Sequence, residues 1–255
     1  MYEELLTLSE TEDISDFFAP YHGAVNCITD EASSDTIHHI VLSDLTVNYE
    51  RPCVIDIKIG RFTYEPSVDA SKKQREKLKY IYQEEIGFRI TGLKVFDGVE
   101  NNYLVTNKQF GRSLLPSQVL HGLALFFLYS TNRLRFDIIQ IVLRKLHKIL
   151  TWMRAQTKYQ FYCSSILIIY ASAEIAGTAE TVSSNAEVRM IDLAHTMSEE
   201  GVLDEGYIHG LRNLITYLEQ LLPRHSEQEM QAQCEHSWNL LDLPELSIGI
   251  ERLSL

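Results

Sequence analysis

The sequence has few cysteines and no long apolar run, and both absences exclude classes of protein. Its four cysteines, Cys27, Cys53, Cys163 and Cys234, are far apart and show neither a Cys-x-x-Cys pair nor the spacing of metal ligands. This distribution argues against a disulfide-stapled secreted fold and favours a reduced intracellular protein. The longest wholly apolar run, residues 123–129, is too short to cross a bilayer, so we expect no membrane span.

The sequence also lacks an excess of positive charge. Its 255 residues carry a formal net charge of −12, whereas a protein that binds nucleic acid through phosphates needs a basic surface, so we expect no direct nucleic-acid contact. The first residues, Met-Tyr-Glu-Glu, are acidic where a signal peptide would be basic, so export is not expected. With 45% hydrophobic residues, the chain can bury a full core as one large domain or two lobes.

Hydrophobic periodicity predicts a mixed α and β fold. The predicted strands cover residues 37–44, 52–60, 86–97 with a bend at Gly92, 103–110, 162–170 and 188–194. The predicted helices cover residues 3–8, 69–80, 117–129, 137–156 and 204–222. Residues 7–16 are polar and acidic and predict a linker or an exposed turn. Residues 171–185 are small and polar and predict a flexible insertion.

The most informative of these segments is residues 52–60, Pro-Cys-Val-Ile-Asp-Ile-Lys-Ile-Gly. In a strand, the three isoleucines share one face, whereas Asp56 and Lys58 share the other at a spacing of about 6.6 Å. Charges in so apolar a run need a reason. The pattern alone fits either an edge strand with solvated charges or a buried strand whose charges have a function.

A second notable segment is the basic stretch at residues 69–80. It predicts a short helix capped by Asp69 or Ser71. Five cations fall within eight residues of this acidic protein: Lys72, Lys73, Arg75, Lys77 and Lys79. An isolated charge run is usually a solvated helix face. However, Lys72, Arg75 and Lys79 share a face at helical spacing, which would concentrate positive charge on one side of the helix.

Asp192 is the third candidate, because it lies in the apolar sequence Met-Ile-Asp-Leu-Ala. We expect a buried carboxylate there, which would need a cation or hydrogen-bond donors to stay charged. A carboxylate is also the hard ligand that Mg²⁺ prefers.

Three motifs in this order resemble the inositol polyphosphate kinase family. The first is Pro-x-x-x-Asp-x-Lys-x-Gly at residues 52–60. The second, residues 161–167, is similar to the Ser-Ser-Leu-Leu segment of the family, and the third, residues 190–196, to its Ile-Asp-Phe-Ala-His segment. The likeness extends from about residue 40 to residue 222, and the sequences between the motifs are most similar to the multikinase branch.

The resemblance implies an α+β, two-lobed kinase fold that uses ATP and Mg²⁺ to phosphorylate hydroxyls of inositol polyphosphates, namely trisphosphate and tetrakisphosphate. In that reading Asp192 holds the metal on the ATP phosphates and Asp56 accepts hydrogen bonds from the ribose. The hinge beneath the adenine would be formed by Ser43, Asp44 and Leu45.

The resemblance also assigns the substrate side. Lys58 would lie between the transferred phosphate and the phosphates of the inositol ring, with Ser165 close by in a supporting role, and His195 would orient the substrate. Further substrate contacts are expected from five cations: Lys72, Arg75, Lys79, Lys94 and Lys108. A loose phosphoryl-transfer transition state requires no strong base.

The chain departs from the family at its start, because the strand pair and lysine of the nucleotide lobe have no counterpart. We therefore expect a truncated N-terminal nucleotide lobe, with residues 1–45 as the remnant of that lobe and the hinge. Residues 46–222 would form the catalytic region. Residues 223–255 would form a tail of unknown role, open to docking protein partners.

Two alternative functions stay open. One is an inositol hexakisphosphate kinase, which makes pyrophosphates. The other is a non-catalytic scaffold that binds inositol phosphates; the missing lysine favours it, whereas Asp56, Lys58 and Asp192 favour an enzyme. The resemblance implies a location in the cytoplasm, the nucleus or both.

Overall fold

The structure, a computed structural model, describes residues 1–9, 13–28, 36–98, 100–128, 134–172, 185–223 and 249–254. The described strands are β1 Tyr21–Ile28, β2 Thr36–Leu42, β3 Pro52–Ile59, β4 Phe88–Asp97, β5 Asn102–Thr106, β6 Tyr159–Tyr162, β7 Ser165–Ala171, β8 Ala186–Ile191, β9 His195–Ser198 and β10 Ile250–Ser254. The described helices are α1 Tyr2–Ser9, α2 Ala70–Lys79, α3 Gln83–Ile86, α4 Lys108–Ser113, α5 Val119–Phe127, α6 Phe136–Ala155 and α7 Glu205–Glu219.

A six-stranded antiparallel sheet, in the order β10-β5-β4-β3-β7-β8, forms the centre of the molecule. Strand β3 pairs with β4 on one side and β7 on the other, so it is a central strand and not an edge strand. Its isoleucines are almost fully buried, and helices α5 and α7 contact this strand. The predicted α+β fold is therefore confirmed, with the charged face of β3 pointing away from the isoleucines.

The predicted bend at Gly92 is a β-bulge. Asp56 lies opposite Gly92 and Ile57 opposite Ile90, so that Thr91 is the extra residue. The hydroxyl of Thr91 donates to the carbonyl of Asp56 over 3.0 Å. The bulge therefore fixes the register of β4 beside the two charged residues of β3.

The strand predicted for residues 103–110 is wrong beyond Thr106, because helix α4 begins at Lys108. The side chain of Asn107 caps this helix by accepting a hydrogen bond from the Gln109 amide over 2.8 Å. A local capping signal therefore overrides the apparent alternation. Helix α2 follows the prediction, with Asp69 as its cap and none of its residues buried.

The N-terminal part contains a second, two-stranded sheet formed by β1 and β2. Strand β1 is absent from the sequence prediction, whereas β2 confirms the strand predicted at residues 37–44. The linker predicted at residues 7–16 is wrong at Ile14, which is buried, and the neighbouring Phe17 contacts the Trp152 ring at 5.9 Å between centroids. Apolar contacts therefore tie this segment to α6.

The last described residues form β10, which adds to the sheet beside β5. Part of the segment predicted as a tail thus joins the sheet of the preceding region. The docking prediction rests on four apolar residues of the tail, Trp238, Leu240, Leu241 and Leu243. These residues, and most of the insertion predicted at residues 171–185, lie outside the described residues. In the described part of the chain, no helix has the length and apolar character needed to span a bilayer.

Candidate functional site

Strand β3 presents Asp56 and Lys58 side by side, as the alternation predicted. The Lys58 ammonium donates to the carbonyl of Cys163 over 2.6 Å. Burial lowers the pKa of Lys58, and although Cys163, Asp192 and Asp56 act in the opposite direction, the lowering prevails. Among the described residues, Asp56 Oδ1 is buried without a hydrogen-bond partner, which marks it as an acceptor available to a ligand.

Beside β7, which pairs with β3, lies a cavity of about 670 Å³, which we call the apolar cavity. Its lining includes Met1, Tyr2, Glu3, Ala19, Tyr21, Ile40, Leu42, Ser43, Asp44, Leu45, Thr46, Leu167, Ile169, Ile191, Asp192, Leu193 and Ala194. All three predicted hinge residues and Asp192 therefore meet at one cavity. Leu167 connects it to the signature strand, because this residue lies opposite Asp56 in the β3–β7 pair.

Asp192 directly follows β8 and adopts a left-handed conformation with φ 61°. This backbone region is costly for a residue other than glycine, and such residues cluster at functional sites. The expectation of a buried carboxylate is wrong: Asp192 is exposed, because β8 ends at Ile191 and the turn directs the chain out of the sheet. Its neighbour Leu193 is the residue that is buried.

The connector at residues 43–46 is held by its own hydrogen bonds. Asp44 accepts from both the amide and the hydroxyl of Thr46, at 2.8 and 2.7 Å. These bonds, the hydroxyl first, lower the pKa of Asp44. The Ser43 hydroxyl lies 2.7 Å from His22 Nε2. Both side chains thus shape the connector.

Helix α1 also contributes to the apolar cavity, which the sequence reasoning missed. The Tyr2 ring stacks on the Tyr21 ring at 5.5 Å between centroids. Burial, followed by the charge of Asp192, raises the pKa of Tyr2. The sequence signal that could have indicated this contact is a tyrosine at the start of each element, Tyr2 in α1 and Tyr21 in β1.

A second cavity, of about 190 Å³, is lined by Lys58, and we call it the cationic cavity. Its lining residues are Lys58, Glu76, Lys79, Arg89, Ile90, Thr91, Lys108, Arg112 and Cys163. Five cations from β3, β4, α2 and α4 thus surround one carboxylate. Lys58, Lys79 and Lys108 were predicted. Arg89 and Arg112 were not, although a cation in the apolar run Gly-Phe-Arg-Ile carries the same signal as Lys58 in its strand.

The remaining predicted substrate residues lie outside the lining of this cavity. Lys72 and Arg75 are exposed on α2. The Lys94 ammonium lies 3.9 Å from the centroid of the Tyr103 ring. Nδ1 of His195 lies 2.7 Å from a carboxylate oxygen of Glu65.

Ser165 occupies the position opposite Lys58 at the start of β7. It is fully buried, and within the described residues its hydroxyl oxygen has no hydrogen-bond partner. This placement is compatible with the supporting role predicted for it. The prediction itself stays open.

The carboxylates present fit a magnesium nucleotide. Within the described ranges, no cluster of three or more His, Cys, Asp or Glu side chains could hold a metal ion unaided. Magnesium typically takes one or two protein carboxylates and completes its shell with phosphates and water. The unpartnered Oδ1 of Asp56 and the exposed carboxylate of Asp192 meet that requirement.

Comparisons with known proteins agree with this arrangement. Residues 39–219 match the sequence profile of the family described as inositol polyphosphate kinase. Inositol polyphosphate multikinase of Rattus norvegicus is 34% identical over 143 residues, 56% of this chain and 36% of that protein. Inositol hexakisphosphate kinase 3 of Mus musculus is 33% identical over 198 residues, 70% of this chain and 50% of that protein. The chain thus spans between about a third and a half of these curated relatives.

Two solved structures share the fold. One, from structural studies and protein engineering of an inositol phosphate multikinase, has a TM-score of 0.70 at 25% identity and covers 87% of this chain and 97% of its own. The other is inositol phosphate multikinase from S. cerevisiae in complex with ADP and Mn²⁺. It has a TM-score of 0.66 at 21% identity and covers 82% of this chain and 91% of its own.

Proposed function

The chain belongs to the inositol polyphosphate kinase family, and from this premise we propose that it transfers the terminal phosphoryl group of ATP to a hydroxyl of an inositol polyphosphate. The observation that supports the proposal is the pair of cavities, one lined by the signature strand and the other by its neighbour β7. Leu167, opposite Asp56, lines the apolar cavity, whereas Lys58 lines the cationic cavity. A nucleotide and a polyanion could therefore meet at Asp56 and Lys58.

The apolar cavity suits the adenine, because apolar side chains from β2 and β7 line it beside the backbone of the 43–46 connector. Asp192 would hold Mg²⁺, and Asp56 would accept from the ribose or share the metal. Bound magnesium would neutralise the phosphate charge that develops during transfer. The chain's own part is to fix the two carboxylates in place.

Lys58 would contact both the phosphate donor and the phosphate acceptor. Its ammonium is anchored by the Cys163 carbonyl and faces the cationic cavity. Phosphoryl transfer asks mainly for positioning and charge neutralisation, so a fixed cation between donor and acceptor phosphates is sufficient. The cationic cavity would hold the inositol phosphates in line with the nucleotide.

We propose trisphosphate and tetrakisphosphate as substrates, on the multikinase pattern that the sequence predicted. The likeness to a hexakisphosphate kinase over 70% of the chain keeps the hexakisphosphate as a second candidate. Comparing turnover of the three substrates at equal concentration distinguishes them. The cytoplasmic or nuclear location stays a prediction.

The test is turnover of the purified protein with magnesium-ATP and inositol 1,4,5-trisphosphate, with products separated by anion exchange. Asp192→Asn should lower turnover at least about 100-fold because it weakens the metal ligand. Asp13→Asn, the same change at an exposed aspartate beside α6, is the matched control and should leave turnover unchanged. No product from the wild type, with inositol-phosphate binding retained, would support the scaffold instead.

A further inference from the structure

Arg89 is a charged side chain that is buried without an ion pair among the described residues. Only 6% of its surface is exposed. In the described part of the chain its guanidinium has one hydrogen-bond partner, the neutral amide oxygen of Gln83 at 2.7 Å, and it forms no ion pair. Gln83 is itself engaged, because its amide nitrogen donates to the Gly60 carbonyl over 2.7 Å. A guanidinium has five donors, so most of its capacity is open to the cavity that it lines.

The residues around Arg89 add further positive charge. Lys58 lies directly opposite Arg89 in the β3–β4 pair, and like charges at such a position destabilise a sheet. Burial, followed by the charge of Arg112, lowers the pKa of Arg89. The one carboxylate in the lining, Glu76, is already bound to Lys79 at 2.5 Å. The free protein therefore places five cations around one carboxylate, which compensates only part of their charge.

The fold holds Arg112 in this place by a close backbone approach. A Cβ atom on Gly111 would lie 1.7 Å from the carbonyl oxygen of Ile90, so only glycine lets α4 pack directly on β4. Arg112 follows that glycine and Arg89 precedes that isoleucine. The two guanidinium-bearing residues are thus fixed on adjoining elements at one cavity.

We propose that Arg89 and Arg112, together with Lys58 and Lys108, form a deep subsite that binds one phosphate group of the substrate. The identity of the substrate as an inositol polyphosphate rests on the proposed function; the anion subsite itself rests on the buried charge. The cavity of about 190 Å³ has room for several waters at about 30 Å³ each, and hence for a phosphate group. Guanidinium groups bind phosphate oxygens in a bidentate manner, which suits a fixed and buried position.

The proposal is tested with Arg89→Met, which keeps the length of the side chain and removes its charge. Loss of a charge-assisted phosphate contact should raise the KM for inositol 1,4,5-trisphosphate about 10- to 100-fold, with kcat within about 3-fold of the wild type. The melting temperature without ligand should be equal to or above that of the wild type, because repulsion with Lys58 is relieved. Arg89→Lys should bind more tightly than Arg89→Met but less tightly than the wild type, since lysine restores the positive charge but not the bidentate geometry of the guanidinium.

The matched control is Arg144→Met, which removes an exposed arginine of α6 and should change neither quantity. If Arg89 only supports the fold, Arg89→Met will lower the melting temperature and leave the KM unchanged, and the subsite is refuted. Calorimetric binding of inositol trisphosphate separates the two proposals. If the wild type binds without turning over and Arg89→Met loses that binding, the subsite stands and the kinase function fails; equal binding by both proteins would overturn the subsite.

Discussion

The two cavities differ in size and in charge, although one is lined by strand β3 and the other by its neighbour β7. The apolar cavity of about 670 Å³ is lined largely by aliphatic side chains and carries its charge as carboxylates, Asp44 and Asp192 among them. The cationic cavity of about 190 Å³ brings five cations around one carboxylate. A protein with a net charge of −12 thus gathers positive charge at one small place.

Under the proposed function, this contrast assigns one reactant to each cavity. An apolar cavity with carboxylates at its rim suits a flat base and a metal-bound phosphate tail. A cavity with five cations around one carboxylate suits the phosphates of a second ligand. On β3, Lys58 lines the cationic cavity, and Asp56, two residues earlier, lies opposite Leu167 of the apolar cavity.

The largest effect is expected at Lys58, because this residue lines the cationic cavity and, under the proposed function, also contacts the transferred phosphate. Lys58→Met should lower kcat/KM about 100-fold by removing a fixed cation from the transferred phosphate. Lys148→Met, the same change on the exposed face of α6, should leave kcat/KM unchanged. A loss confined to the KM of one substrate would show that Lys58 serves one cavity only.

Lys58 should also respond to pH. Burial lowers its pKa below the ordinary lysine value of about 10.4, so the ammonium is lost at a lower pH than on an exposed lysine. The KM for inositol trisphosphate should therefore begin to rise in that alkaline window, and Lys58→Met should flatten the profile. In the same window the unfolded chain still holds the proton that the folded protein has lost, so this group makes stability increase with pH.

A smaller effect is expected at Leu167, which lines the apolar cavity opposite Asp56. Leu167→Ala removes part of the apolar surface available to the base and should raise the KM for ATP about 3- to 10-fold. Calorimetric affinity for inositol trisphosphate should stay unchanged. The control is Leu115→Ala, a partly exposed leucine outside both linings. Weaker binding of the inositol phosphate in Leu167→Ala would contradict the separation of the two cavities.

Short motifs were sufficient to single out Lys58, which lines one cavity, and Asp192 with the hinge, which line the other, but not the two arginines of the cationic cavity. Asp56, Lys58, Asp192 and the hinge were predicted because each depends on local alternation or on a contiguous motif. Arg89 and Arg112 become neighbours only through the packing of α4 on β4 at Gly111, a contact that periodicity does not encode.

The residues whose structural setting differs from the prediction differ for physical reasons. Residues 108–110 read as a strand because the alternation continued, whereas the Asn107 cap starts a helix and carries Lys108 with it. Lys94 lies over a cross-strand aromatic ring, a tertiary contact that competes with its predicted role. Asp192 was expected to be buried because its neighbours are apolar, but the chain turns at this residue.

The smallest effect is expected at Glu76, the one carboxylate that lines the cationic cavity. Burial acts to raise its pKa, but the hydrogen bond and charge of Lys79, followed by the charge of Arg89, outweigh burial and lower the pKa. Glu76 is therefore ionised at neutral pH and competes with a bound phosphate for the surrounding cations. Its contribution to stability is present above the ordinary glutamate pKa and is lost as pH falls through the lowered value.

Glu76→Gln should thus have two opposing consequences that separate binding from stability. Affinity for inositol trisphosphate should increase about 2- to 5-fold, because the Glu76 carboxylate no longer competes with the ligand phosphates for the surrounding cations. The dependence of this affinity on salt concentration should become steeper. The melting temperature without ligand should fall slightly as Lys79 loses its ion pair, and the acid-dependent part of the stability should shrink. Glu219→Gln, at an exposed glutamate near His147, should reproduce neither change in binding. Weaker binding by Glu76→Gln would mean that Glu76 serves to hold Lys79 in place for the ligand, and the cationic cavity would then depend on its carboxylate as much as on its cations.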